Sequence, residues 1–328
     1  FTAPDDFITS IAKMGIIENI LAIADAKEKK SLQKTDGKKT NRVIIPKLDD
    51  ANKAGTTESE KCTLILTEGD SAKTTAVAGL SIVGRDYCGV FPLRGKLLNT
   101  RTASFAQISK NEEINNIKKI LGLQTGTKNV KELRYSKIMV MTDQDTDGFH
   151  IKSLLINFID SGWPDLLKKS IFVESLLTPI IKVSRRNETL QFYNIPDYEN
   201  WKKTTENNWN IKYYKGLGTS TSKEFKEYFK EKRLVHFQLQ ENDKQLIDKI
   251  FNKGKADERK EWLGNYDRDS HLNIESTQIS YNDFIDKELI HFSKYDCDRS
   301  IPNLMDGLKI SQRKILFSAF KKKLYSEI

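Results

Sequence analysis

Cysteine and histidine are scarce in this chain of 328 residues, which contains three cysteines and four histidines. The cysteines are widely separated, and no two of them form a C-x-x-C pair; they are Cys62, Cys88 and Cys297. This spacing argues against a zinc site and against a disulfide framework, and it favours a reducing compartment.

Long hydrophobic runs are also missing. No apolar stretch approaches the roughly 20 residues that a membrane-spanning helix requires, so we expect no membrane partner. The chain opens with Phe1-Thr-Ala-Pro, which contains no methionine and does not resemble a signal peptide. We therefore expect a fragment of a longer protein.

Charge, by contrast, is abundant and unbalanced. The chain has 54 Lys and Arg against 45 Asp and Glu, for a formal charge of +9, and 38% of its residues are hydrophobic. This composition is typical of a globular protein with a polar surface and two or three domains. A basic surface favours nucleic acid as a partner, although many solvated surfaces are basic as well.

An acidic run at residues 137–148 is the stretch around which the chain is organised. Residues 138–141 form a short apolar strand, and three carboxylates follow it at alternate positions: Asp143, Asp145 and Asp147. Residues 151–159 then repeat apolar side chains at helical spacing. A strand followed by an acidic loop and a helix is how an open α/β sheet presents a site.

Three carboxylates so close together favour a metal ion. Two unit charges about 4 Å apart cost roughly 4 kcal/mol at an effective dielectric near 20. A divalent cation removes that penalty, and an all-oxygen set suits Mg²⁺ or Mn²⁺. A solvated acidic turn is the alternative, whereas an EF-hand is disfavoured because its glutamate would fall at Leu154.

A second strand with an acidic end lies at residues 62–67. It ends at Glu68, and Gly69 then lets the backbone turn into a predicted helix that reaches about residue 79. If the two strands are adjacent and parallel, their acidic ends meet, as two metal ions or one general acid require. Taken alone, Glu68 is equally consistent with a solvated loop residue.

The remaining patterns predict alternating elements and connections. We predict helices over residues 5–23, 111–121, 223–232, 240–254 and 281–292. We predict a strand and a turn over residues 81–89, and paired strands over residues 175–183 and 190–193. Residues 24–42 are expected to end a charged helix and form a flexible linker, and residues 266–278 to be a flexible connection.

Six stretches, in this order, resemble type IIA DNA topoisomerases, and in particular the eukaryotic topoisomerase II lineage. They are IPKLDDAN (45–52), LTEGDSAK (66–73), FPLRGK (91–96), MTDQDTDG (141–148), YKGLGTS (214–220), and DGLK with QRK (306–309 and 312–314). The chain departs from the family pattern at Phe149, where a serine is usual, and at Ile310-Ser311, where Pro-Gly is usual.

The resemblance implies an α/β fold: a TOPRIM parallel sheet flanked by helices, with a helical segment before it and the start of an α-rich winged-helix domain after it. It implies the end of a transducer domain and a linker at residues 1–45. The TOPRIM metal-binding domain with its C-terminal extension would cover residues 46–265. The connection and the start of the winged helix would cover residues 266–328.

The resemblance also implies the site residues. Two Mg²⁺ ions per site, replaceable by Mn²⁺, would be held by Glu68, Asp143 and Asp145, with Asp147 as a further acid. Glu68 would also be catalytic, passing a proton to a DNA 3′-oxygen. Contacts to double-stranded DNA would come from Lys96, Asn99, Arg259, Lys260, Lys309 and Arg313.

The implied activity is that of an ATP-dependent isomerase in the nucleus, working as a homodimer. A tyrosine beyond residue 328 would attack DNA and form a 5′-phosphotyrosyl bond, and ATP would bind elsewhere in the parent protein. Three alternatives stay open: a TOPRIM nuclease or primase, a non-catalytic DNA-binding module, and a gyrase-type B subunit. The winged-helix entry at residues 306–314 and the transducer-like segment favour the topoisomerase over the nuclease or primase, and a gyrase-type B subunit would end before the winged helix.

Overall fold

The computed structural model describes residues 4–169, 171–205, 208–273 and 276–326, except for the side chains of Ala12 and Asp25. Parts of three predicted segments lie outside the described residues. They are residues 1–3 and 327–328, in the predicted end segments, and residues 274–275, in the predicted connection. Within the described part, no single helix has the length and hydropathy to cross a membrane. The first two helices pass that test only jointly, across a bend of 49°.

A mostly parallel six-stranded sheet forms the centre of the structure. The strands, in chain order, are β1 (Thr63–Glu68), β2 (Cys88–Leu93), β3 (Lys137–Met141), β4 (Val173–Leu176), β5 (Ile181–Arg185), β6 (Glu188–Phe192), β7 (Asn210–Tyr213), β8 (Leu234–Gln238) and β9 (Gln278–Ser280). The main sheet has the order β2-β1-β3-β4-β8-β9, in which β4 and β8 are antiparallel. A separate antiparallel sheet has the order β6-β5-β7.

Helices cover both faces of the main sheet. They are α1 (Asp5–Lys13), α2 (Ile16–Gln33), α3 (Gly69–Val83), α4 (Phe105–Lys110), α5 (Glu112–Leu121), α6 (Thr146–Gly162), α7 (Pro164–Leu167), α8 (Ile195–Thr204), α9 (Ser222–Glu231), α10 (Asp243–Phe251), α11 (Ala256–Gly264), α12 (Tyr281–Phe284), α13 (Ile290–Ser300) and α14 (Ile310–Lys321). A π-helical segment, Ile285–Leu289, joins α12 to α13.

The alternation of side chains along β1 shows why this strand is apolar throughout. Leu64 and Leu66 belong to the larger core, which includes α5 and α6, whereas Ile65 belongs to a smaller core with α3 and α9. A parallel strand that is covered on both faces needs apolar residues at every position. On the smaller face α3 and α9 pack closely, since a Cβ at Gly79 would lie 2.1 Å from the Phe229 ring.

The α/β class, with a mostly parallel sheet flanked by helices, is confirmed. The strand predicted over residues 81–89 is wrong, because α3 continues to Val83 and β2 begins at Cys88. The strand predicted over residues 175–183 is divided between β4 and β5, which lie in different sheets. Pro179 stands in the gap between them and has no N–H to donate to a ladder.

The N-terminal segment also differs from its prediction. The helix predicted over residues 5–23 is interrupted at Gly15, whose φ of 69° is left-handed, and α2 then runs on to Gln33. The stretch expected to be a flexible linker is docked, because the Gly37 N–H donates to the Leu123 carbonyl at 2.8 Å. The domain boundaries stay a prediction.

Candidate metal and nucleic-acid site

The register of two parallel strands creates the acidic junction. Thr67 of β1 pairs with Met141 of β3, so the carboxyl ends of both strands lie at the same edge of the sheet. Glu68 closes β1, and Asp143 follows β3 by two residues. The Asp143 N–H donates to Glu68 Oε2 at 3.3 Å. The predicted meeting of the two strand ends is therefore confirmed.

Burial disfavours the ionised forms of the two carboxyls at this junction, and their like charges add to the effect at Glu68. Burial raises the pKa of the Glu68 carboxyl to about 7, and the negative charge of Asp143 is the next cause. Burial also raises the pKa of Asp143, against the hydrogen bond from the Leu217 N–H. A positive charge between the two carboxylates would relieve both effects, as expected at a cation site.

A glycine turn from a distant part of the chain holds Asp143 in place. The Leu217 N–H donates to Asp143 Oδ1 at 2.7 Å. Gly216 has φ of 127°, and a Cβ there would lie 2.3 Å from Asp143 Oδ2. The resemblance includes this turn as YKGLGTS but gives it no role. The two glycines of this stretch indicate a turn, but the sequence does not show that the turn contacts Asp143.

The other two acids of the loop make different contacts. Asp145 is the N-cap of α6, and its Oδ1 accepts a hydrogen bond from the Gly148 N–H at 2.8 Å. Asp147 forms ion pairs with Arg299, at 2.9 Å, and with Lys96, at 2.7 Å. These cations, Arg299 first, lower the pKa of the Asp147 carboxyl to about 2. Sequence reasoning missed Arg299 altogether.

These contacts decide how well the acids fit a metal ion. Across the described ranges, no group of three or more His, Cys, Asp and Glu side chains is arranged as a ready metal cage. Glu68 and Asp143 nevertheless fit a hard divalent ion by their chemistry, because both are half-buried carboxylates at the carboxyl ends of adjacent parallel strands. Asp145 has a second oxygen to offer, whereas the carboxylate of Asp147 is already neutralised by two cations.

Three of the predicted DNA-binding residues make contacts within the protein. Lys96 bonds to Asp147, and its Nζ lies 4.6 Å from the centre of the Phe292 ring. Asn99 donates to the Phe251 carbonyl and accepts from Asn157, both at 2.9 Å. Arg259 donates to two main-chain carbonyls, those of Lys249 and Asn252. Their contact with DNA stays a prediction.

The other three predicted DNA-binding residues lie in the C-terminal part of the chain. Lys260 pairs with Asp257 at 2.7 Å, and both side chains are largely exposed. Lys309 is exposed at the start of α14, and Arg313 of the same helix pairs with Asp306 at 2.7 Å. Cations at such positions can meet phosphate without reading base sequence.

Two family models match consecutive parts of the chain. The Toprim domain matches residues 63–175, and the C-terminal associated domain of TOPRIM matches residues 176–297. Together the two matches contain every strand from β1 to β9, and so they contain the acidic junction and the glycine turn.

Relatives match almost the whole chain. DNA topoisomerase 2 of Arabidopsis thaliana is 53% identical over 97% of this chain, and that of Saccharomyces cerevisiae is 52% identical over 99%. The chain spans 22% and 24% of their respective lengths. A solved structure, the DNA-binding, cleavage and re-ligation domain of Plasmodium falciparum topoisomerase II, matches with a TM-score of 0.81 and 51% identity. That match covers 88% of this chain and 41% of the solved one. The chain therefore has a Toprim domain with its associated C-terminal domain, and it is homologous to the Toprim-containing cleavage region of eukaryotic topoisomerase II.

Proposed function

We propose that this chain is the Mg²⁺-binding part of the DNA cleavage and religation core of an ATP-dependent type II topoisomerase. The parent enzyme would open both strands of one duplex through 5′-phosphotyrosyl bonds and pass a second duplex through the gap. The observation that carries the proposal is the junction of Glu68 and Asp143, two half-buried acids at the same edge of the sheet, where the Asp143 main-chain N–H donates to Glu68 Oε2 at 3.3 Å.

The metal would be held by the acids whose oxygens are available. Glu68 and Asp143 would hold one ion, and Asp143 with Asp145 a second, with Mn²⁺ able to replace Mg²⁺. When bound, the ions would supply positive charge beside the phosphodiester oxygens that gain charge during the reaction. Asp147 would act through its partners Lys96 and Arg299, which it holds next to the acidic loop.

Glu68 would in addition move a proton. Burial and the charge of Asp143 favour the protonated form of this carboxyl, whereas a bound cation would favour the ionised form, so both forms are accessible to a group that moves a proton. The Glu68 carboxylate would take the proton from the DNA 3′-hydroxyl as the broken strand is resealed, and would return a proton to the 3′-oxygen when the strand is cleaved. The Asp143 N–H bonds to Glu68 Oε2 and so keeps the side chain at the edge of the sheet.

The partners and location follow from the same proposal. The DNA would be double-stranded and held by its backbone, through Lys260, Lys309 and Arg313 among others. The parent would be a nuclear homodimer, and its nucleophilic tyrosine and its ATP site would lie outside these residues.

Substitution of Glu68 by Gln in the full-length parent tests the proposal. DNA affinity should be largely retained, because the carboxylate does not supply the contacts to the DNA backbone. Cleavage and resealing should fall together, measured with a supercoiled plasmid and a pre-nicked duplex. Asp147→Asn is the matched comparison and should cost less, since its carboxylate is already neutralised. Normal resealing by the Glu68 variant would show that the role given to this residue is wrong.

A further inference from the structure

A cavity of about 510 Å³ lies beside the acidic loop, and Gln144 and Asp145 of that loop are among its lining residues. One wall is formed by Asp145, Thr146 and Phe149, at the start of α6. The opposite wall comes from the π-helical segment and α13, through Glu288 and His291. A volume of this size is in the range of small-molecule sites, which are commonly found where segments meet.

Glu288 is the unusual member of this wall. Its side chain is 15% exposed, and its ion-pair partner, Lys152, is 2% exposed. The separation between Lys152 Nζ and Glu288 Oε2 is 3.8 Å, which is beyond hydrogen-bond distance. Among the described residues no side chain or main-chain group donates a hydrogen bond to this carboxylate. A buried carboxylate with unused acceptor capacity favours a ligand that carries a donor and a positive charge.

Aromatic rings complete the cavity. Phe149 lies in its wall, and the rings of Tyr193 and Tyr266 also line it. The Phe149 ring already takes part in one cation–π contact, with the Lys152 ammonium 5.2 Å from its centre. Two of the cations that line the cavity are neutralised, since Lys287 pairs with Asp283 at 2.7 Å and Lys294 with Asp298 at 2.5 Å.

We propose that this cavity binds an organic ammonium ion with an aromatic body, its positive charge at Glu288 and its ring against Phe149. Ring faces and a carboxylate around one space are the usual means of recognising such cations. The acidic loop supplies Asp145 to the same wall, so the ligand would lie in contact with the segment that precedes α6. The exposed Arg268 stands at the rim and is the group that an anionic ligand would use instead.

Calorimetric titration with benzylammonium, whose N–H groups can donate to Glu288, tests the proposal in Mg²⁺-free buffer at fixed ionic strength. We expect saturable binding to the wild-type chain, weakened roughly five- to tenfold by Phe149→Ser and by Glu288→Gln, the loss expected for one such contact. Phe317→Ser is the control, because Phe317 is an aromatic residue that is 65% exposed on α14, and it should change nothing.

Several results would overturn the proposal. These are the absence of saturable binding to folded wild-type chain, an equal loss in the Phe317 and Phe149 variants, or tighter binding of benzenesulfonate that Arg268→Ala abolishes. Glu288→Gln leaves Lys152 as a buried cation without a counter-charge, so the folding of each variant is checked by circular dichroism. If that variant does not fold, the Phe149 variant decides the question.

Discussion

At the scale of single residues, the position of Asp143 depends on backbone that another part of the chain provides. The Leu217 N–H bonds to one carboxylate oxygen, and Gly216 leaves room for the other. Gly216 has φ of 127°, a conformation that residues with a Cβ rarely adopt. The side chain proposed to hold both metal ions is therefore placed by a glycine more than 70 residues away in the sequence.

Gly216→Ala should disturb this arrangement in two ways. The new Cβ would overlap Asp143 Oδ2, and the backbone would be strained. We expect the free energy of unfolding to fall by about 1–3 kcal/mol in urea titrations, and Mn²⁺ affinity to fall with it. Gly218→Ala is the matched control, because its Cβ would meet nothing within 4 Å. Equal effects of the two substitutions would contradict this account.

Burial of His150 makes the free energy of unfolding depend on pH, because the folded protein favours the neutral ring. The His150 ring stacks on Phe292 at 3.9 Å, and burial, helped by Lys96, lowers its pKa to about 4. In the unfolded chain a histidine takes up its proton near pH 6.5. The stabilisation from the neutral ring is therefore complete above about pH 6.5 and is lost as the pH falls towards 4, by up to about 3 kcal/mol.

A variant isolates this contribution from the titration of carboxylates. His150→Phe keeps a ring against Phe292 and removes the proton site. The difference in unfolding free energy between wild type and variant should change between pH 7 and pH 4, measured by denaturant titration at each pH. A constant difference over that interval would mean that His150 is protonated as readily in the folded chain as in the unfolded one.

At the scale of elements, the parts that the sequence predicts are those with local patterns. β1 and β3 are short apolar runs that end in acids, so both their existence and the location of the site could be predicted. The predicted end of α3, at about residue 79, is too early, because Gly79 packs against Phe229 of α9 inside the helix and the C-cap is Gly84, whose φ is 86°. Arg299 could not be predicted, since nothing local links α13 to Asp147, which is 152 residues away in the sequence.

Arg299→Ala should loosen α13 from the acidic loop while leaving the fold intact. The pair with Asp147 is about one-third exposed, so we expect a global loss of about 1 kcal/mol or less. Amide hydrogen exchange should rise in both α13 and the first turn of α6. Lys294→Ala is the control, because the ion pair that it removes, with Asp298, lies within α13. Unchanged hydrogen exchange in α6 would show that the ion pair between Arg299 and Asp147 does not hold the acidic loop in place.

At the scale of the whole molecule, the charge distribution separates two tasks. The chain carries a net charge of +9, yet two of its acids, Glu68 and Asp143, meet at one edge of the central sheet. A basic exterior attracts a polyanion without regard to base sequence, and the acidic junction then requires cations that phosphate can share. Asn99 and Arg259 donate hydrogen bonds to main-chain carbonyls, so these two predicted DNA-binding residues also stabilise the fold.

The salt dependence of DNA binding tests which lysines belong to that exterior. Lys309 is exposed and has no ion-pair partner among the described residues, so Lys309→Ala in the full-length parent should remove about one phosphate contact. We expect weaker binding to every duplex sequence, with the slope of log K against log salt reduced by about 1. Lys168→Ala is the control, because Lys168 is also exposed but is held by Asp165 at 2.5 Å and is not a predicted DNA contact. An unchanged slope in the Lys309 variant, or an equal change in the control, would place the DNA on another face of the molecule.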